Sequence, residues 1–366
     1  MKVATGLAKG IVATPDLAAE AVRIALDRAG LAIAESILLF LSPDFASAPQ
    51  PAISAASRAG QCLQVAGCAS VGLFTEEEWL LDVPAAAAMV FGDGLGLRAA
   101  RPEDDWRLAM AAPNAVNTSW LVQPGRRYGA ISGDATGQGP YSVWANGRLA
   151  NGRRCELVFE GSRIEVDVSR GVQPLTEPHE VEQLAGHDVR RIGGQTALDS
   201  LARSLPLDAN DSRQFPLHLV MAGVTHGDPD NALAEGRYHL LPILATHPTE
   251  RSVTVSHRLK IGDRLFWAIR QPLAAERDMR LMLDRRLFDS PRAPVFGLCF
   301  ACMGRGPQFY GGVDRDLDAI TRRYPGLPLI GFYGNGEFAP LDGGNRLLQY
   351  ATVLALHYPD VQPQPR

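Results

Sequence analysis

Two distant stretches of this sequence run the same course. "ILLFLSPDF…AGCASVGLF…AAAAMVFG" (37–92) reads strand, loop, helix, strand, glycine turn, strand, and "VFGLCFACMGRG…LIGFYGNGEF…LQYATVLALH" (295–357) reads in the same order. Gly67 and Gly72 enclose a five-residue step that Gly331 and Gly336 repeat, and an aromatic follows each step two residues on, Phe74 and Phe338. A chain written this way is expected to fold as two related halves. The turn at "GCASVG" should then be the counterpart of the turn at "GFYGNGEF".

The rest of the pattern predicts a mixed α/β fold, with largely antiparallel sheets packed together and helices on the outside. Thr14-Pro15-Asp16 followed by Leu17, Ala21, Ile24 and Ala25, and closed by Gly30, predicts a capped helix. "SILLFLS" (36–42) and "PAAAAMVFG" (84–92) read as strands around a helix opened by Pro51. Residues 99–118 fit no single pattern. From Tyr128 onward two Asn-Gly pairs, 146–147 and 151–152, and the alternation of Ile164, Val166 and Val168 predict hairpins in an antiparallel sheet. "HEVEQLAGHDVRRIGG" reads as a further hairpin turning at Gly186-His187-Asp188, and 196–205 as a helix. The polar, proline-flanked "PLDANDSRQFP" (206–216) is the expected linker. Strands follow at 217–224, 237–245, 251–259 and 264–270. A helix over about 274–287 has Leu281, Met282 and Leu287 on its apolar side. Then come strands at 293–306, 327–331 and 347–357 and a helix near 314–324.

Composition narrows the function classes. At 366 residues the chain has ample length for a large core, and a net charge of −4 gives no electrostatic reason to expect nucleic acid or an anionic membrane. Five cysteines, scattered and odd in number, do not make a disulfide framework. The opening "MKVATGLAKGIVATPDLAAEAV" has no apolar block of signal-peptide length, and "ILLFL" is far too short to span a bilayer, so the expected location is the cytoplasm.

Three glycines, Gly331, Gly334 and Gly336, run straight into Glu337. Glycines leave backbone N–H groups uncovered, and a carboxylate beside them suits the ammonium of a zwitterionic ligand. The spacing is G-x-x-G-x-G, and Pro340 follows instead of a helix, so this is no dinucleotide fingerprint. Ser70, in the paired turn, and Asp134, in Ser132-Gly133-Asp134, are further candidates for ligand contact; turn chemistry also accounts for Asp134. Cys299 and Cys302 spell C-x-x-C, but three residues apart on a strand they point to opposite faces and should not pair. Cys302 could line a pocket, and Arg305 could reach an anionic ligand there or form an ordinary salt bridge. No H-x-x-x-H pair or zinc-spaced cysteines occur; His226, His239, His247 and His357 are the histidines open to an axial haem role. No G-x-S-x-G elbow occurs.

Together "GRG" (304–306) after a Cys302-bearing strand and "PLIGFYGNGEFAPLDGGNRLLQYATVLAL" resemble the C-terminal part of the FIST proteins, named for F-box and intracellular signal transduction. "ISGDATG…NGRLANGRRCELVF…GVQPL…ALDSLARSLP" and "ILLFLSPDF…GCASVG" resemble the N-terminal part, in the right order along nearly the whole chain. The resemblance implies a FIST N-terminal domain at 1–208 and a FIST C-terminal domain at 214–360. It also implies a cytoplasmic, non-catalytic sensory module in signal transduction. Such a module would bind a small ligand such as an amino acid and work beside a histidine kinase or another signalling protein. Association of some members with nitric oxide sensing makes haem the cofactor alternative; an enzyme using Glu337 and Asp134 as acid and base is the second. Ala339, Gln271, Leu241 and Leu348 depart from the family pattern, which bears on ligand identity more than on fold.

Overall fold

The computed structural model describes residues 1–134, 137–205, 217–228, 231–233, 236–289, 292–341 and 343–360. Packing divides the chain into two compact units, one of Met1–Arg170 with Met279–Arg366, the other Gly171–Asp278.

The first unit is built from three copies of one motif. Copy one contains β1 (Lys2–Lys9), α1 (Pro15–Ala29), β2 (Ser36–Leu41), α2 (Gln50–Gly60), β3 (Val65–Ala69), the hairpin β4 (Gly72–Thr75) and β5 (Trp79–Leu81), and β6 (Ala85–Gly92). Copy two has β7 (Gly96–Ala99), β8 (Trp106–Ala111), α3 (Thr118–Leu121), β9 (Arg126–Ile131), the hairpin β10 (Val143–Ala145) and β11 (Arg148–Leu149), and β12 (Arg154–Glu160). Copy three opens with β13 (Ser162–Ser169), after which the chain leaves to build the second unit. That unit holds β14 (Val172–Pro174), β15 (His179–Ala185), β16 (Asp188–Ile192), β17 (Gln195–Thr196), α4 (Ala197–Ser204), β18 (Val220–Thr225), β19 (Tyr238–His247), β20 (Ser252–Val255) and β21 (Arg264–Arg270). Helix α5 (Pro272–Asp289) carries the chain back. Copy three then continues with β22 (Phe296–Cys302), α6 (Arg315–Arg323), β23 (Leu329–Gly334), the hairpin β24 (Glu337–Leu341) and β25 (Gly344–Leu348), and β26 (Thr352–Pro359).

Each copy makes one six-stranded sheet, in the orders β1-β6-β2-β3-β10-β11, β7-β12-β8-β9-β24-β25 and β13-β26-β22-β23-β4-β5. The central pairs β2/β3, β8/β9 and β22/β23 are parallel, joined by helical crossovers, and β6, β12 and β26 run antiparallel beside them. The last two strands of every sheet are a hairpin lent by another copy. Copy one lends to three, three to two, and two to one, so the exchange closes in a ring. Inner faces of the three sheets, carrying Phe40, Leu73, Phe91, Met110, Val143, Leu298 and Phe332, share one core. Outer faces lie under helices: α1 and α2 on the first sheet, α3 with Trp120 on the second, α5 and α6 on the third. Burial on both faces is why the central strands read as unbroken apolar runs.

The mixed α/β class read from the sequence holds. The relation between 37–92 and 295–357 also holds residue by residue, since Gly67 and Gly331 occupy the same position in β3 and β23. It is a relation among three copies. The second, β7 to β12, has a crossover helix of a single turn and includes the stretch 99–118 that fits no pattern.

In the second unit, β21-β15-β16-β20-β19-β18 pairs back onto β21 and closes a small antiparallel barrel. Val181, Val189, Leu201, Val253 and Trp267 fill it, and the Trp267 indole donates to Ser200 Oγ on α4 at 3.0 Å.

Several expectations need correcting. Asn146-Gly147 does close a hairpin, with φ of 52° and 70°, but Asn151-Gly152 does not: β11, before it, pairs in the first sheet and β12, after it, in the second. On α5 the buried side is Met279, Met282 and Leu283, while Leu281 and Leu287 are 52% and 45% exposed. The strand expected at 347–357 is two strands, broken at 349–351. The compact units do not follow the expected boundary between 1–208 and 214–360, because β13 shares a sheet with β22, β23 and β26. The linker at 206–216 lies outside the described residues. No helix of the described residues is long and apolar enough to cross a membrane.

Candidate functional site

The three copies meet at the ends of β3, β9 and β23. Equivalent residues there are Ala69-Ser70, Ile131-Ser132 and Tyr333-Gly334. Ser70 Oγ donates to the Tyr333 carbonyl at 2.5 Å, and Ser132 Oγ donates to the Ala69 carbonyl at 2.6 Å. In copy three a glycine stands where the serine would be, and the Asn335 backbone N–H donates instead to the Ile131 carbonyl at 3.1 Å. The Asn335 amide of this turn is thus engaged in the ring. Gly331 lies inside β23, not in the turn, and Gly334 ends that strand. A Cβ at Gly334 would stand 2.5 Å from the Ile131 carbonyl oxygen. Gly336, at φ 130°, makes the turn into β24.

Glu337 is the first residue of β24 and pairs across from Ala130. The matching hairpin positions hold Leu73 and Val143, both in the shared core. Glu337 is fully buried like them, and neither carboxylate oxygen has a hydrogen-bond partner among the described residues. Burial pushes its carboxyl well above the ordinary range; the nearby Ala351 amide and the Arg305 guanidinium pull it down without offsetting that. The fixed negative charge expected here is replaced by an acid that burial drives toward its protonated form.

Beside it lies a polar network found only in copy three. A short 3-10 turn follows the central strand in every copy, at Pro43–Phe45, Pro113–Ala115 and Met303–Arg305. Its third residue is Phe45 or Ala115 in the first two copies and Arg305 in the third. Arg305, 2% exposed, donates from Nε to Asp316 Oδ2 at 2.8 Å and from Nη2 to Asp316 Oδ1 at 3.1 Å and Ser169 Oγ at 2.7 Å. Tyr310 and Thr352 hydroxyls donate to Asp316 as well, each at 2.8 Å. Asp314 caps α6 by accepting from the Leu317 N–H at 2.9 Å, and its other oxygen accepts from the Tyr333 hydroxyl. Tyr333 therefore ties the network to Ser70 and the ring. A buried ion pair of this kind is held by its extra hydrogen bonds more than by charge attraction alone.

Desolvation, helped by Asp316, raises the Asp314 carboxyl to about 6. A carboxyl raised in the folded state favours folding at low pH. That stability is lost as pH climbs from the ordinary carboxylate value through about 6, by up to roughly 3 kcal/mol. Thermal melts between pH 4 and 7 should show this decline, and Asp314→Asn, which keeps the cap, should flatten it. An equal slope in both proteins would mean that Asp314 titrates as an ordinary surface acid.

The remaining candidates fall as follows. Cys302 ends β22, 7% exposed, with its N–H donated to the Ala351 carbonyl at 2.9 Å. All five cysteines are free, Cys299 and Cys302 among them. Asp134 is committed to its own loop, accepting from the Gly137 and Gly139 amides at 2.7 and 2.9 Å. It is thereby engaged in turn chemistry, and the Glu337 oxygens have no hydrogen-bond partner among the described residues, Asp134 included. His357 sits in the shared core, stacked on Phe296 at 4.2 Å, with Nδ1 3.0 Å from Ser162 Oγ; burial lowers its pKa to about 3. The cleft it lines is about 180 Å³, below the ~300–1,000 Å³ of ordinary ligand pockets, so this histidine does not fit a haem. His247 Nε2 lies 2.8 Å from Thr254 Oγ1, and the His226 and His239 rings face each other at 6.5 Å. No group of three or more metal-ligating side chains occurs among the described residues.

Asp314, Asp316, Tyr310, Tyr333, Thr352 and Ser169 are absent from the sequence-derived candidates. Asp314 and Asp316 read as acids favoured at a helix start, and nothing local marks them as buried.

Comparison with known proteins adds the family. Residues 197–340, which hold α4, most of the barrel, Arg305, Asp316 and Glu337, match the sequence model of the FIST C domain. An uncharacterized protein of Mycobacterium tuberculosis is 29% identical over 189 residues, 52% of this chain and 49% of the relative. One from Mycobacterium bovis is 27% identical over 195 residues, 53% of this chain and 50% of the relative. F-box only protein 22 of Homo sapiens is 46% identical over 84 residues, 18% of this chain and 20% of that protein. The chain spans about half the length of the curated mycobacterial relatives it matches. FIST domains are sensory domains of signal transduction. This chain carries a FIST C domain at residues 197–340, in keeping with the FIST resemblance of its sequence.

Proposed function

We propose that this protein is a non-catalytic sensory module of intracellular signal transduction that binds a small polar ligand and reports it to a signalling partner. The observation that supports this reading is Glu337: a fully buried carboxyl without a hydrogen-bond partner among the described residues, where two related positions hold leucine and valine. An unpartnered buried polar group costs several kcal/mol, so a ligand that supplies a partner recovers a large term. An ammonium group does so best, because it converts the neutral acid into a charge-assisted pair. A small amino acid is the ligand class this favours, its ammonium on Glu337. Calorimetric titration of the twenty amino acids into the full chain tests the reading. The ligand so found should bind about ten- to a hundredfold more weakly to Glu337→Gln, a loss of roughly 1.5–3 kcal/mol. Equal affinity for both proteins would return Glu337 to a purely structural role.

A further inference from the structure

A second cavity, of about 620 Å³, opens among the 121–126 loop, β24 and β25. That volume lies within the usual range for small-molecule pockets, ~300–1,000 Å³. Its wall is fixed from behind. Asn345 accepts from the Arg127 N–H at 2.6 Å and donates from Nδ2 to the Leu121 and Gly125 carbonyls at 3.0 and 2.9 Å. The fully buried Arg127 guanidinium donates to the Gln123 and Gly125 carbonyls at 2.8 and 3.2 Å and to Glu156 Oε1 at 2.6 Å. Loop shape is therefore set before any ligand arrives, which lowers the ordering cost of binding.

Two arginines line the cavity. Arg126 is spoken for: it pairs with Asp105 and lies 4.0 Å over the Trp106 ring. Arg346 is exposed on β25 and has no ion pair or hydrogen bond from its side chain among the described residues. Leu121, Val166 and Pro340 give the cavity an apolar side, and a Cβ built on Gly344, which also lines it, meets nothing within 4 Å.

We propose that this cavity binds a small organic acid, its carboxylate on Arg346 and its apolar body against Leu121, Val166 and Pro340. The proposal does not depend on the reading of Glu337. Isothermal titration of the full chain with 3-phenylpropionate, its uncharged amide and inorganic phosphate tests it. The acid should bind at least about tenfold more tightly than either the amide or phosphate. Arg346→Gln should weaken the acid by about tenfold, Gly344→Leu should abolish its binding by filling the space, and both variants should melt with the wild type. Glu337→Leu should bind the acid as the wild type does, which separates this site from the first. Absence of binding to the wild type would overturn the proposal. So would an affinity for amide or phosphate equal to that for the acid, or one unmoved by both cavity variants.

Discussion

Glu337→Leu raises the melting temperature. Leucine is what copy one places at the equivalent position, Leu73, in the same shared core. The substitution removes a buried acid with no hydrogen-bond partner among the described residues and restores apolar packing of similar volume. Replacing buried polar or ionic groups by well-packed apolar ones stabilises by about 1–4 kcal/mol, and each kcal/mol moves the melting point of a 150–250-residue domain by about 2–4 °C, and of this longer chain by less. The gain should be largest at neutral pH. With its carboxyl raised by burial, Glu337 costs the folded state more as pH rises, and leucine has nothing to ionise. Differential scanning calorimetry at pH 5 and pH 7.5 measures both effects. A lower melting point for the variant at both pH values would mean that Glu337 is satisfied in the folded state and contributes to it.

Gly331→Ala has the opposite sign and the larger size. A Cβ there would lie 1.9 Å from the Cys299 carbonyl oxygen of the neighbouring strand and 2.4 Å from the Phe74 ring of the lent hairpin. Neither can retreat, since one is ladder backbone and the other is buried. Gly67 and Gly129 face the same obstacle in their own copies, with the Leu39 and Ala109 carbonyl oxygens 1.7 and 2.0 Å from the added carbon. Alanine at any of the three should cost more than about 4 kcal/mol, in the exceptional range for one substitution. Urea denaturation checks this by the fall in midpoint. Gly344→Ala, which meets open space, serves as the control. Tolerance at all three positions would contradict the equivalence of the copies.

Much of this architecture was legible in the residues, and the reasons for what was not are physical. The step from Gly67 to Gly72 and from Gly331 to Gly336 marks a position where no side chain fits, so it survives in a diverged repeat. The second copy carries the same signal, in Gly129 followed by Ser132, but its crossover helix has shrunk to Thr118–Leu121 and no longer shows a helical period. The hairpin exchange was out of reach, because local turn chemistry says that β4 and β5 pair with each other and nothing about which sheet receives them. Glu337 could be singled out from its glycine-rich approach. Its burial could not, since only the pairing with Ala130 places it on an inward face. The sequence around Arg305 is open to a ligand contact or a salt bridge, and the ion pair with Asp316 is the interaction formed.

The most direct test of the account is native mass spectrometry of the freshly purified 366-residue chain, as wild type and as Glu337→Leu, expressed side by side. The account predicts an adduct of amino-acid mass, lost on collisional activation, on the wild type and none of that mass on the variant. An adduct of the same mass and occupancy on both proteins, or none on either, would contradict the assignment of Glu337 to ligand binding.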